Sequence, residues 1–344
     1  MEANSYRRQK PSLLPCRTSN LPFAEKGFTL LEILVATSIG AMVLGLAFTY
    51  YINISKLSSN DSSRVAASQN AQGAIDMLSN DLRQAGENLD FGLGISGVEI
   101  DNALQQIIVR SNISIASRTL IPRLPLCSVS GNTIQVNGPP PTSTVSTAAC
   151  TYSDGDSNND DDNVQRWRSY FDSKSNQPQA AILYRPASST LPSAVAKAVV
   201  LSVNPRLTTT TSAGSFYRTS ITLNSIVSSD FSAANNSQII LVDERRYKKL
   251  GDTLILALGG QTDSQAQVVA FNVQTLNASA DLLNPTANVT SIGLNGPWSR
   301  IKNINITLGS KSPNSTILGS AQKSYTASIY PRNVASSPTN LTTP

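Results

Sequence analysis

Between Phe28 and Ile54 the chain runs for 27 residues with a single charge, Glu32. As a helix that run covers about 40 Å, enough to cross a bilayer with some tilt. A carboxylate at the centre of such a helix costs about 2.5–3.5 kcal/mol on insertion scales, so one kept near the head of the run implies a cationic partner. A cleaved secretory signal has an apolar region of about 7–15 residues closed by a small-x-small site. This run is longer, and Leu46-Ala47-Phe48-Thr49-Tyr50-Tyr51 offers no such site. Past the run, Ala71, Ile75, Leu78, Leu82 and Ala85 step by four and three, the apolar stripe of a helix. No proline falls between Pro22 and Pro122. The spacing predicts one helix from Phe28 to about Ala85, half in lipid and half packed on protein, with Gly86 as its C-cap.

Charge agrees with a membrane anchor. Residues 1–27 hold Arg7, Arg8, Lys10, Arg17 and Lys26 against Glu2 and Glu25, whereas the remainder is close to balanced. The sequence pI of about 9.1 therefore belongs mostly to the N-terminal segment and is not read as a nucleic-acid footprint. The positive-inside rule places that segment in the cytoplasm and everything beyond Lys56 outside. The chain has no histidine, which removes the commonest general base and metal ligand and with it a conventional serine triad. The chain is read as a non-enzyme. Gly92-Leu93-Gly94-Ile95-Ser96-Gly97 spells a dinucleotide fingerprint but follows a helix instead of a strand, and is read as the flexible exit of the long helix.

The string Lys26-Gly27-Phe28-Thr29-Leu30-Leu31-Glu32 resembles the prepilin signal of type IV pilins and pseudopilins. The resemblance implies a membrane prepilin peptidase that cuts between Gly27 and Phe28 and methylates the new N-terminus on Phe28. It implies too that Glu32 pairs with the N-terminal amine of a neighbouring subunit during assembly. Residues 1–27 would be the leader, 28–86 the long helix with 28–54 transmembrane, 87–333 a β-rich head, and 334–344 a disordered Ser/Thr/Pro tail. The fold expected is α+β, a pilin-like lollipop with the helix packed on an antiparallel head. Arg64–Gly86 and Ser324–Asn333 are similar to the helix end and closing strand of PilW-type minor pilins and J-type minor pseudopilins, with Pro331 departing from that pattern. Val164-Gln165-Arg166-Trp167-Arg168-Ser169-Tyr170 after an acidic run resembles cyanobacterial pseudopilins of hormogonium polysaccharide secretion. Removal of the leader takes Cys16 away, leaving Cys127 and Cys150 either to pair in an oxidising compartment or to stay as free thiols.

In the head, β-branched runs bounded by turn residues predict short strands, among them Asn112–Ala116, Ala180–Arg185, Ala194–Val203, Gln238–Val242, Thr253–Leu258, Val268–Val273 and Ile301–Leu308. Asp154, Asp156, Asn158 and Asp160 follow the alternate spacing of a calcium loop, with Asp162 or Asp161 as a further ligand. Asn159 stands where such a loop wants Gly, and a solvated acidic turn is the plainer reading. No cofactor other than this Ca2+ is expected. Trp167, Tyr170 and Phe171 with Arg166 and Arg168 either stack on a sugar or nucleic acid or pack into the core.

The resemblance implies a minor pilin or pseudopilin in the tip or initiation complex of a type IV pilus or a type II secretion-like pseudopilus. Its partners would be prepilin peptidase, other minor and major subunits, the inner-membrane assembly platform and the membrane itself. The chain would be single-pass in the inner membrane, with the leader cytoplasmic and the head periplasmic. Rival readings are a tip adhesin for a surface or glycan and a membrane-anchored enzyme.

Overall fold

Helix α1, Leu30–Gln84, is continuous for 55 residues in the computed structural model of the chain, matching the helix that the spacing predicts to within two residues. The structure describes residues 27–89, 93–113, 120–136, 162–204, 207–211, 214–283, 285–311 and 322–334. After α1 come β1 Val98–Asp101, β2 Gln106–Asn112, β3 Leu124–Ser130 and β4 Thr133–Val136. Helix α2, Asp162–Ser173, precedes β5 Gln179–Arg185, β6 Ala194–Val203, β7 Leu207–Thr211 and β8 Gly214–Leu223. The rest of the chain supplies β9 Gln238–Leu250, β10 Thr253–Leu258, β11 Gln267–Phe271, β12 Val273–Leu282, β13 Ala287–Val289, β14 Ser291–Ile292, β15 Ile301–Lys311 and β16 Gln322–Ile329. The class is α+β: a long N-terminal apolar helix and an antiparallel, β-rich head.

The chain divides into two units, Met1–Ser58 and Ser59–Pro344. In the first, every described residue of α1 is exposed. In the second, the apolar stripe of α1 is buried: Ala71, Ala74, Ile75, Leu78, Leu82 and Ala85 share a core with the sheet strands. Ala71, Ala74 and Ala85 in that stripe let the strands approach closely, while Ile75, Leu78 and Leu82 each contribute about 1.5–3 kcal/mol by leaving water. One side of this core is the ladder β14-β1-β2-β9-β10-β11, and the other is the four-stranded sheet β13-β12-β15-β16.

β9 belongs to two structures at once. Its second half pairs with β2 from Val242 to Lys248 and with β10 from Arg245 to Leu250. Its first half pairs with β3 on one side and β5 on the other, so that Ile239 lies between Leu124 and Leu183. From β3 the pairings continue through β4, β8, β6 and β5 and return to β9. This ring is a closed six-stranded antiparallel barrel, and closure leaves those strands without edges. Each strand sends two side chains inward: Leu124 and Leu126, Ile134 and Val136, Ala181 and Leu183, Ala198 and Val200, Ile221 and Leu223, Ile239 and Leu241. Val164, Trp167 and Phe171 of α2 join the same core. Ala180, Ile182, Ile240 and Val242 alternate to the outer face, where Leu89 and Ile95 cover them.

Several sequence expectations need correction. The strand expected over Gln238–Val242 extends to Leu250. Its second half, Asp243-Glu244-Arg245-Arg246-Tyr247-Lys248-Lys249, looks too charged for a strand, but its charges find partners on both faces, as described below. The strand expected over Val268–Val273 is two strands: Asn272 has a φ of 59° and turns the chain from one sheet to the other. Asn112 ends β2 instead of opening a strand, and 114–119 lie outside the described residues. The exit from α1 is packed where it is described. Gly86 takes a φ of +75°, and a Cβ on Gly97 would stand 2.7 Å from the Gly86 nitrogen and 2.9 Å from Trp298, so the chain crosses over itself there at van der Waals distance.

Candidate functional site

The N-terminal site is built on the start of α1. Thr29 is its N-cap: the Thr29 Oγ1 accepts the Glu32 backbone N–H at 3.3 Å, and the Thr29 carbonyl accepts it at 3.0 Å. Thr29-Leu30-Leu31-Glu32 is the T-x-x-E pattern of a capping box, a signal legible in the sequence that the reading above passed over. Glu32 thus lies in the first helical turn, where the helix dipole favours an anion. Phe28 is 78% exposed, and a Cβ on Gly27 would meet nothing within 4 Å. No contact within the described chain requires glycine at 27.

The helix beyond is fitted for lipid. It is long and apolar enough to cross a membrane, and its most apolar stretch is unburied in the protein. The Thr37, Ser38 and Thr49 hydroxyls are satisfied within the helix: Thr37 donates to the Leu34 carbonyl at 3.0 Å, Ser38 to Val35 at 2.8 Å and Thr49 to Gly45 at 2.9 Å. Unpaired hydroxyls would be costly in hydrocarbon. Tyr50 and Tyr51, followed by Lys56, supply the aromatic and basic residues typical of a membrane–water boundary.

Residues 23–48 match the prokaryotic N-terminal methylation motif. The chain carries the signal of a type IV pilin-like precursor. Motif and apolar helix together fit a single-pass, membrane-anchored protein processed by prepilin peptidase. No curated protein and no solved structure matches the chain.

The head distributes the remaining predicted residues unevenly. Cys127 lies on β3 and is disulfide-bonded, whereas Cys150, Asp154, Asp156, Asn158 and Asp160 lie outside the described residues. Asp162 is the first residue of α2. Among the described residues no three His, Cys, Asp or Glu side chains converge on a metal position. Trp167 and Phe171 are buried in the barrel core, with Trp167 Nε1 donating to the Pro122 carbonyl at 2.7 Å. Neither offers a face to a sugar or base, which overturns the stacking reading for those two rings.

Charge in the head is organised around β2 and β9. Arg110, fully buried, bridges Glu99 at 2.8 Å and Glu244 at 2.7 Å, and Lys197 of the barrel reaches Glu99 at 2.6 Å. Arg246 and Lys248 hold Asp263 at 2.8 and 2.5 Å. The Lys248 hydrogen bond, then the charge of Arg246, keeps the Asp263 carboxyl below its ordinary value. On the opposite face, Asp81 of α1 accepts from the Arg245 guanidinium and, at 2.6 Å, from the Tyr247 hydroxyl. A cavity of about 490 Å3 opens beside this group, with Met77, Tyr170, Asp243 and Leu258 in its wall. Burial and the nearby Asp243 push the Tyr170 phenol up to about 12.

Proposed function

We propose that the chain is a minor pilin or pseudopilin that joins the tip or initiation complex of a type IV pilus or a type II secretion-like pseudopilus. The observation that carries this is the methylation motif at residues 23–48 set on a helix whose apolar stripe organises the core of a large β-rich head. The similarity to PilW-type and J-type subunits, and to pseudopilins of polysaccharide secretion, supports a minor role. A head that carries a whole extra barrel suits a position where its bulk need not repeat along a shaft.

In this reading prepilin peptidase cuts between Gly27 and Phe28, and Phe28 is methylated. Glu32 then receives the free amine of a neighbour, which offsets the cost of holding a carboxylate in apolar surroundings. Because a side chain at 27 meets nothing in the described structure, Gly27→Leu should leave the head folded and leave the precursor uncut. Glu32→Ala should be cut and methylated normally but fail to co-purify with other pilin-like subunits. Mass spectrometry of the N-terminus and affinity purification from the producing cells read both outcomes. A Glu32→Ala protein that assembles normally would remove Glu32 from its assigned role.

Two features of the head belong to the same proposal. Cys127 pairs with Cys150, which ties the segment between β4 and α2 to the barrel. The acidic run through Asp154, Asp156, Asn158, Asp160 and Asp162 then holds Ca2+ beside that tie. Calcium should raise the melting temperature and a chelator should lower it. A calorimetric titration without heat would dispose of the calcium site.

A further inference from the structure

The cavity of about 490 Å3 beside Asp81 lies where α1, α2, β9 and β10 meet, and its lining residues all belong to the second unit. Met77 and Asp81 come from α1, Tyr170 and Lys174 from α2, Asp243 and Arg245 from β9. Leu256 and Leu258 of β10 add apolar surface. One wall is the turn after β10, which is seated on the turn before β5. There the Gly260 N–H donates to the Pro178 carbonyl at 3.1 Å, and a Cβ on Gly260 would stand 2.3 Å from Val199. The wall is therefore built before any ligand arrives. A preformed concavity with apolar surface and a few convergent polar groups is the usual form of a small-molecule site.

Its polar groups divide into those already paired and those with valences to spare. Asp81 is occupied by Arg245 and the Tyr247 hydroxyl. The Gln179 side-chain oxygen accepts from the Tyr170 hydroxyl at 3.2 Å, and its amide donates to the Gln177 carbonyl. Burial keeps the Tyr170 phenol protonated through the neutral range, so that donation persists. Lys174 is different. Its ammonium sits 5.6 Å from the centre of the Tyr170 ring, and among the described residues no carboxylate pairs with it. Among the same residues the Gln177 side chain has no partner. The Gln261 oxygen is held by the Leu258 N–H at 3.0 Å, which leaves its NH2 to donate. Asp243 keeps acceptor capacity: Arg245 reaches it only at 3.4 Å, and its side chain is 40% exposed.

These valences specify a ligand. Donors are in excess and one of them is a cation, which calls for a negative charge. A phosphate would bring close to a double charge up to Asp81 and Asp243, whereas a carboxylate brings a single one. Asp243 needs a donor, which a hydroxyl supplies. We infer, independently of the function proposed above, that this cleft binds a hydroxylated carboxylic acid of sugar size, a hexuronic acid. Its carboxylate meets Lys174, a hydroxyl donates to Asp243, and the C–H face of its ring lies against Leu256 and Leu258.

The test titrates the full-length protein, solubilised in detergent, with sodium D-glucuronate and reads binding by saturation-transfer NMR. Glucose, which lacks the charge, and butyrate, which lacks the hydroxyls, are the controls. Glucuronate should bind saturably and each control about tenfold more weakly, the worth of one hydrogen bond to a charged group. Lys174→Gln should weaken glucuronate by a similar factor and Gln177→Ala by less. Neither should shift the urea midpoint, since both side chains are exposed. Lys302→Gln, on β15, should leave binding unchanged. Titration with an oligoglucuronate separates the two sources of such a ligand: tighter binding than the monomer assigns the site to a residue within a polysaccharide, weaker binding to a free acid. No saturable binding of either, equal binding of glucose or butyrate, or full affinity in Lys174→Gln overturns the inference.

Discussion

Asp81 shows how one side chain can fix a helix on a sheet. It lies on the buried side of α1 among Leu78 and Leu82, where a bare carboxylate would be costly. Arg245 and the Tyr247 hydroxyl meet it from β9. Asp81→Ala would leave that buried hydroxyl without its acceptor and the half-buried guanidinium with Asp243 at 3.4 Å, and should destabilise the head by about 2–3 kcal/mol in urea unfolding. Burial first, and the bond to Asp81 second, push the Tyr247 phenol above its ordinary value of 10.0. Above that pH the unfolded chain ionises Tyr247 while the folded protein keeps it protonated, so this contribution is intact below pH 10.0 and is lost as pH rises beyond it. Urea midpoints measured across the alkaline range should fall, and Tyr247→Phe should flatten that slope. An unchanged slope would assign it to other tyrosines.

Among elements, α2 gives the clearest case of a side-chain pattern with two readings. Read one residue at a time, Trp167, Tyr170 and Phe171 allow a stacking platform as well as the commoner core stripe. Val164, Trp167 and Phe171 step by three and four, however, and that helical spacing places all three on one face, the face that plugs the barrel. Trp167→Ala should cost about 3–5 kcal/mol, the range for truncating a buried aromatic residue, and should loosen the barrel before the core on α1. Hydrogen exchange would show protection lost first in β3–β6 and β8. β9 makes the complementary point. Its charged half lacks a strand's alternation of apolar and polar residues, and it is a strand because Arg110, Asp81 and Asp263 meet its charges from β2, α1 and the loop after β10.

For the whole molecule, the barrel is an insertion between two strands that are already neighbours. Asn112 at the end of β2 is paired with Val242 in β9, so everything from 113 to 241 leaves and returns at adjacent positions. Replacing that stretch with an Asn-Gly turn should leave the α1-packed core folded, because its residues lie outside the excised segment. The shortened chain should be less stable, having lost the partners of Leu89, Ile95 and Val242, but should keep a β-sheet circular dichroism spectrum. A spectrum of an unfolded chain would show that the barrel is required for the core to form.

The long helix, its apolar stripe, the methylation motif and the α+β class are all legible in the order of residues along the chain. Each of these is written in local terms: period, an uncharged run, a capping residue, turn residues between β-branched runs. That order did not determine the closed barrel or the doubled use of β9. Those depend on which strands lie side by side, and that pairing is set by contacts between residues far apart in the chain. Glu32 stands at the boundary between the two kinds of information: its position in the first turn is local, while the cation proposed for it above belongs to another chain.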